Sequence, residues 1–198
     1  RGETRYSYTP TGQLERAEYP DGREQWRKSD QTGNLYPDPD MRLRRYLGGG
    51  RLEQDGEWHC EYDADGNLTE RYLGTGRWLD GKKDRWRYRW NADGSLAKVV
   101  RPDKREVEFT YDALGRRLSK SFGTTVMRWV WNSNVPLHQW KQHREYSVVE
   151  DRWNTDTERR DMTVWLFDEE SFVPVAMIKE GRSYSILTDQ LGTPTEAY

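Results

Sequence analysis

What this 198-residue sequence lacks already excludes several classes of protein. Its single cysteine, Cys60, cannot form a disulfide within the chain. No apolar run approaches the ~18 residues that a membrane-spanning helix needs. Apolar residues make up 33 % of the chain, against roughly 45–50 % in ordinary globular domains. The formal net charge of −2 gives no overall field toward nucleic acid or anionic lipid. We therefore expect no disulfide scaffold, no membrane span and no nucleic-acid partner.

Aromatic residues are abundant despite this shortage of apolar ones. The chain contains 10 tryptophans and 12 tyrosines, and large rings bury much area per residue. Charged residues make up 33 %, which alone would favour disorder, but so many rings argue against it. The composition predicts a sheet with one packed face and one solvated face, in which Cys60 is a buried structural thiol.

A unit centred on glycine recurs along the chain. An aromatic run leads into an Asp or Asn turn, then a glycine, and then a leucine two or three residues later. A loose period of this kind predicts an array of repeats. The clearest copies are Tyr62-Asp-Ala-Asp-Gly66-Asn-Leu68, Trp90-Asn-Ala-Asp-Gly94-Ser-Leu96 and Tyr111-Asp-Ala-Leu-Gly115-Arg-Arg-Leu118.

Each unit has the pattern of a β-hairpin. Trp86, Tyr88 and Trp90 alternate with arginines, and a period of two with rings on one side is typical of a half-buried strand. Asp, Asn and Gly supply the turn chemistry. At Lys104 a lysine stands where glycine is expected, which predicts a turn of a different type. The sequence therefore predicts an all-β fold: a hairpin array in a single-layer sheet, with rings packed between neighbouring strands.

The chain divides by repeat content into two parts. Hairpin repeats fill residues 1–122, and residues 123–198 form a C-terminal segment with regular strand signals toward its end. Two stretches stay open at this point. Residues 42–46 fit either a short helical turn or a strand, and residues 141–161 fit either a long connection or an exposed hairpin.

Candidates for metal or catalytic chemistry are weak, and we expect no cofactor. The Asp-Ala-Asp-Gly spacing at Asp63 is too short for an EF-hand loop, so structural turns are favoured over calcium. His59 and Cys60 point to opposite faces of a strand, which disfavours zinc. Glu169 and Glu170 precede Ser171 without a nucleophile elbow or a positioned histidine. We therefore predict that the chain is not an enzyme.

A binding module is the alternative function. Rings on a flat sheet can stack on sugars, and neighbouring arginines can hold acidic groups, so Trp86, Tyr88 and Trp90 are candidates for glycan stacking. Because rings recur at matching places in every unit, cross-strand packing explains them better than one local site does.

With these residues in view, the chain resembles the RHS (rearrangement hotspot) family, whose units are called YD repeats. The resemblance rests on residues 62–68, 109–117, 131–138 and, above all, 184–194. Asn132-Ser133 departs from the Asp-Gly that relatives commonly carry. The repeat-motif residues that the resemblance implies are Tyr62, Asp63, Gly66, Leu68, Trp90, Gly94, Leu96, Tyr111, Asp112, Gly115, Arg116, Asp189, Leu191, Gly192 and Pro194.

This resemblance implies a function in containment. RHS proteins build a hollow β-cocoon, a sheet that spirals round a cavity and encloses a C-terminal toxin domain. The chain is most similar to the C-terminal part of the core in proteobacterial polymorphic toxins. The implied partners are the rest of the shell, the toxin domain, and type VI spike and chaperone proteins. The implied protein is a secreted or delivered effector, made in the cytoplasm and used in interbacterial competition or against host cells. The cleavage motif of relatives lies downstream of Tyr198, so no catalytic residue carries over.

Overall fold

The computed structural model describes residues 3–74, 82–189 and 191–198. Twenty β-strands run through these residues, and no helix occurs among them. The predicted all-β hairpin array is therefore confirmed. Gln190, inside the predicted 184–194 motif, lies outside the described residues. The chain forms two compact units, residues 1–87 and residues 88–198, called here the first and second unit.

The first unit contains nine complete strands and most of a tenth, which crosses the division. They are β1 (Arg5–Tyr8), β2 (Leu14–Glu18), β3 (Glu24–Trp26), β4 (Lys28–Ser29), β5 (Leu35–Tyr36), β6 (Arg44–Leu47), β7 (Arg51–Asp55), β8 (Trp58–Tyr62), β9 (Leu68–Leu73) and β10 (Lys83–Trp90).

Strands of the first unit pair in sequence order. β1, β2 and β3 form a three-stranded antiparallel sheet, and β4 pairs with β5. From β6 to β10 each strand pairs antiparallel with the next. Within each sheet, neighbours in sequence are thus neighbours in strand order, as a chain of hairpins requires.

The second unit contains the remaining ten strands. They are β11 (Leu96–Val100), β12 (Glu106–Tyr111), β13 (Arg117–Phe122), β14 (Thr125–Asn132), β15 (Val135–Ser147), β16 (Arg152–Thr155), β17 (Arg160–Phe167), β18 (Pro174–Lys179), β19 (Arg182–Thr188) and β20 (Pro194–Ala197).

One long strand interrupts the simple order of the second unit. From β11 to β15 and again from β17 to β20, successive strands pair antiparallel. The first part of β15 lies between β14 and β17, while its last residues, 144–147, pair with β16. The β15–β16 hairpin therefore projects from the sheet.

The buried core is small in both units. Among the residues that the structure describes, the buried apolar ones are Ala17 and Tyr72 in the first unit and Val99, Val100, Val126 and Trp140 in the second. Among the described residues no large side chain is fully buried. This agrees with the low apolar fraction, because a sheet with one packed face leaves most side chains half exposed.

The two stretches that the sequence left open are now assigned. Residues 44–47 form strand β6, so the helical turn is excluded. Residues 141–161 contain the exposed β15–β16 hairpin and the start of β17. The division at residue 122 falls at the two-residue turn between β13 and β14; as a boundary of repeat content it stays a prediction.

Candidate functional site: the repeat turns

Eight turns of the described chain share one hydrogen-bond pattern; we call them repeat turns. The N–H of the first residue donates to the carbonyl of the fifth, and the N–H of the fourth donates to the carbonyl of the first, over 2.8–3.2 Å. The fourth residue has a positive φ. This is a type I turn followed by a left-handed residue and a bulge. The repeat turns begin at Thr9, Tyr19, Asp30, Asp63, Asn91, Arg101, Asp112 and Asp189.

A carboxylate fixes most of these turns from within. Asp63 Oδ1 accepts from the N–H of Asn67 at 2.8 Å, and this bond is the main reason why the pKa of Asp63 lies below its usual value. The pKa of Asp30 falls to about 2, chiefly because the Thr32 hydroxyl donates to it. These aspartates are therefore turn residues, as the short spacing predicted.

The predicted motif aspartates Asp112 and Asp189 have the same role. Each accepts the N–H of the fifth turn residue at 2.9 Å. Arg116 adds a second link in the Asp112 turn: its Nε donates to Asp112 Oδ2 at 2.7 Å, and its Nη1 donates to the carbonyl of Ser133 at 2.5 Å. Arg116 thereby ties its own turn to the turn that follows β14.

The prediction for Lys104 is wrong. The turn from Arg101 to Arg105 has both repeat-turn hydrogen bonds at 2.9 Å, and Lys104 has a φ of 64°. The lysine adopts the conformation that glycine adopts elsewhere, although a Cβ disfavours it. The prediction relied on the residue type at position 104 alone, whereas the hydrogen bonds of the surrounding turn fix its backbone geometry.

Two motif glycines illustrate different requirements. Gly94 has a φ of 79°, and a Cβ at that position would have nothing within 4 Å. Gly192 has a φ of 81°, and its Cβ would lie 2.5 Å from Cγ2 of Val173. Gly94 is therefore favoured by its backbone conformation alone, whereas Gly192 is favoured by conformation and also by the lack of space for a Cβ.

A second recurring hydrogen bond joins one hairpin to another. In the first unit the Tyr62 hydroxyl donates to the carbonyl of Leu52 at 2.8 Å. In the second unit the Tyr111 hydroxyl donates to the carbonyl of Leu96 at 3.0 Å. Both acceptors stand two residues after a left-handed glycine. The tyrosine and the leucine of the predicted motif thus meet across units of the repeat.

Two further pairs follow the same rule. The Tyr46 hydroxyl donates to the carbonyl of Leu35, and Trp131 Nε1 donates to the carbonyl of Arg117 at 2.8 Å. Both acceptors again follow a left-handed glycine by two residues. We call these four bonds the aromatic cross-links. Sequence reasoning missed them because it treated the rings as apolar packing groups.

Arginine is a frequent partner of the rings. The guanidinium of Arg71 lies 4.3 Å from the ring centre of Trp58, and that of Arg117 lies 4.9 Å from the ring centre of Phe109. Each of these pairs joins neighbouring strands. Cation–π contacts therefore contribute to the cross-strand packing that the aromatic stripes predicted.

The remaining motif residues differ in exposure. Leu68 and Leu96 are half-buried at the start of β9 and β11. Leu191 is 82 % exposed at the tip of its repeat turn, and Pro194 is exposed at the start of β20. Leu191 is therefore not a packing residue within the second unit. The candidate glycan-stacking residues of β10 are half-buried on one strand face; they are Trp86, Tyr88 and Trp90.

The residues considered for a metal do not gather at one place. Cys60 is half-buried, a correction to the predicted buried thiol, and burial raises its pKa. His59 stacks on Tyr72 at 5.6 Å, whereas His138 and His143 lie on β15. Across residues 3–74, 82–189 and 191–198, no three His, Cys, Asp or Glu side chains are placed to hold a metal. In the same residues no helix is long and apolar enough to cross a membrane.

Strand pairing, repeat turns and aromatic cross-links together define an array of YD-type hairpins. Comparison with known families then gives a direct assignment. The Teneurin YD-shell family matches residues 1–198, and the chain belongs to this family. The resemblance to RHS and YD-repeat shells is therefore confirmed, and it supports a structural, shell-type role.

Two relatives put the chain in context. It is 34 % identical over 125 residues to the double-stranded DNA deaminase toxin A of Burkholderia cenocepacia (strain H111), covering 61 % of this chain and 8 % of that protein. It also resembles the Photorhabdus luminescens Tc holotoxin pore with a TM-score of 0.52 and 14 % identity, covering 96 % of this chain and 10 % of that one. The chain thus spans a tenth or less of each of these two proteins, and the second likeness is one of fold.

Proposed function

We propose that this chain is a wall segment of an RHS-type toxin shell that encloses a C-terminal toxin domain for delivery to competitor or host cells. The observation that carries the proposal is the set of aromatic cross-links, of which Tyr62–Leu52 and Tyr111–Leu96 are examples. The four cross-links each bind an aromatic residue to a hairpin before it, two in the first unit and two in the second.

The physical basis of containment is continuous strand pairing. A hairpin with one packed face cannot bury that face alone, and stacking successive units removes its free edges. The repeat turns all reverse the chain with the same geometry, which keeps the successive hairpins in register. No catalytic step is required of such a wall, and we propose that the chain is not itself an enzyme.

The names of the relatives support the toxin context. One is a deaminase toxin and the other is part of a holotoxin pore. We propose the same partners for this chain as the resemblance implies: the remaining shell, the enclosed toxin domain, and type VI spike and chaperone proteins. The full protein would then be a bacterial effector made in the cytoplasm and secreted or delivered from there.

Limited proteolysis of the full protein tests containment. If the wall encloses a downstream domain, that domain survives protease in the intact protein and is cleaved when it is expressed alone. Gly94→Val, which strains a repeat turn, should accelerate cleavage of the enclosed domain. Gly48→Val is the matched control, because Gly48 has no left-handed φ and nothing within 4 Å of an added Cβ. Equal cleavage of the domain inside the full protein and alone would contradict the proposal.

A further inference from the structure

A polar groove crosses one face of the second unit. Its floor is formed by strands β11 to β14 and its wall by the β15–β16 hairpin. Four neighbouring strands at a spacing of about 4.8 Å give a floor roughly 14 Å across. The residues that carry its chemistry are Arg89, Lys98, Thr110, Arg128, Arg144 and Trp153.

The strand register arranges the floor in two rows. Lys98 lies opposite Glu108, and Glu108 lies opposite Ser121. In the neighbouring row Ser119 lies opposite Arg128. Cross-strand neighbours on one face are close enough to contact a single ligand. Ser119 and Ser121 are buried in this floor, so the charged side chains of the two rows are the groups that it presents to a ligand.

A buried arginine holds the wall in place. Arg144 is 7 % exposed; its Nη1 donates to Glu108 Oε2 at 3.0 Å and its Nε to the carbonyl of Gly123 at 2.8 Å. The guanidinium also lies 4.3 Å from the ring centre of Trp153. Trp153 is nevertheless 42 % exposed. The indole is thus fixed in position with part of its surface open to a ligand.

The groove is cationic in a chain of net charge −2. Glu108 is the acidic residue of its lining, and Lys98 and Arg144 both pair with it, at 3.1 and 3.0 Å. Lys98 also pairs with Glu106 at 2.6 Å, beside the groove. Arg128 donates to the neutral amide of Gln142 at 2.9 Å, so its charge remains available. Arg89 is exposed. Positive charge is therefore left over for an anionic ligand.

These groups fit one ligand class best. An exposed indole face suits the apolar face of a sugar ring, the exposed hydroxyls of Thr110 and Thr155 suit its hydroxyl groups, and guanidinium groups pair with carboxylate or sulfate. A peptide that binds by strand addition needs a free strand edge, and the floor strands β12 and β13 offer none because they are paired on both sides. Among the described strands of the groove, β16 alone is paired on one side only, so its other edge is open to such a peptide. We propose that this groove binds an acidic oligosaccharide, with its anionic groups on Arg89 and Arg128 and a ring against Trp153.

Calorimetric titration of the chain with three hexasaccharides tests this proposal. Oligogalacturonate supplies carboxylates, a heparin fragment supplies sulfates, and maltohexaose is neutral. We expect one-to-one binding of at least one acidic sugar and at least tenfold weaker binding of maltohexaose. The acidic sugar that binds more tightly identifies the anionic group.

Paired variants localise the binding. The double variant Arg89→Gln/Arg128→Gln should weaken binding of the acidic sugar at least tenfold. Arg42→Gln/Arg182→Gln removes the same charge at exposed arginines that are not part of the groove or its wall, and it should leave binding unchanged. Trp153→Ala should weaken binding and Trp153→Phe should retain part of it. If Trp153→Ala does not fold, the Arg89→Gln/Arg128→Gln variant still tests the proposal, because neither arginine is buried.

Three results would overturn the proposal. One is the absence of heat with both acidic sugars at millimolar concentration. Another is equal weakening by the groove pair and the control pair of arginine variants. The third is equally tight binding of polyglutamate or single-stranded DNA, which would show that the groove attracts negative charge without recognising a sugar.

Discussion

Two kinds of turn return the chain, and they differ in what they join. Tight turns such as Gly123-Thr124 and Ser133-Asn134 connect residues that are directly paired, Phe122 with Thr125 and Asn132 with Val135. A repeat turn shifts the register by a bulge, so that Tyr111 pairs with Arg117. The tight turn reverses a strand without a bulge, and the carbonyls of Gly123 and Ser133 in these two turns accept hydrogen bonds from Arg144 and Arg116.

The bulge has a consequence beyond its own hairpin. Leu96 and Arg117, which follow repeat turns, offer their carbonyls to an aromatic donor of a later hairpin. The residues of a repeat turn therefore both reverse the chain and place the carbonyl that links one hairpin to another. A turn that reverses the chain without the left-handed residue would keep the hairpin and lose the linkage.

Of the substitutions considered, Gly192→Ala should lower the unfolding free energy most. Alanine at this position combines a left-handed φ with a Cβ that would lie 2.5 Å from Val173. The expected loss is about 2–4 kcal/mol of unfolding free energy, measured by urea denaturation. Gly94→Ala, which adds only the conformational cost, should lose clearly less. Equal losses would show that the contact with Val173 does not matter.

Gly94→Val should follow in size. A β-branched residue resists positive φ, and nothing within 4 Å would clash with its Cβ. We expect a loss of about 1–3 kcal/mol, seen as a lower melting temperature. Gly48→Val, at a loop glycine without positive φ, should melt near the wild-type temperature. An unchanged melting temperature in Gly94→Val would contradict the turn assignment.

Tyr111→Phe isolates one aromatic cross-link. Phenylalanine keeps the ring and removes the hydroxyl that donates to Leu96. The expected loss is about 1 kcal/mol, with the tight turns unaffected. Tyr6→Phe, at a tyrosine that is 55 % exposed, is the control and should cost nothing measurable. If the two variants have the same unfolding free energy, the hydrogen bond between Tyr111 and Leu96 does not stabilise the fold.

Lys104→Gly should have the smallest effect and the opposite sign. Glycine relieves the left-handed strain of Lys104 while adding freedom to the unfolded chain. The expected net gain is about 0.5–1 kcal/mol, measured by the shift of the denaturation midpoint. Destabilisation would mean that the lysine side chain contributes more than its backbone strain costs.

Local patterns were sufficient to predict the hairpins. Alternation along β10 and the Asp-x-x-Gly turn at Asp63 are properties of neighbouring residues, so sequence reasoning found both. The aromatic cross-links depend on register: the partner of Tyr111 is a backbone carbonyl fifteen residues earlier, which no residue type reveals.

The groove depends on still longer contacts. Its wall is held by Arg144 and Glu108, which are 36 residues apart, and Arg144 falls in a charged stretch that sequence reasoning could assign only as a connection or a hairpin. The glycan candidates therefore fell on the conspicuous rings of β10. Trp153, which lines the groove, carried no signal in the sequence because its strand lacks a regular alternation.

Residue-resolved hydrogen exchange tests most directly whether the repeat turns are one geometry. The amides of Asp63, Asn91 and Asp112 each donate to the carbonyl of the fifth turn residue, whereas Ala92 and Ala113 are exposed at turn tips. If the repeat turns share one geometry, the three donor amides exchange orders of magnitude more slowly than the two alanine amides. Exchange of Asp63, Asn91 and Asp112 at the rate of an unfolded peptide, with the strands still protected, would contradict it.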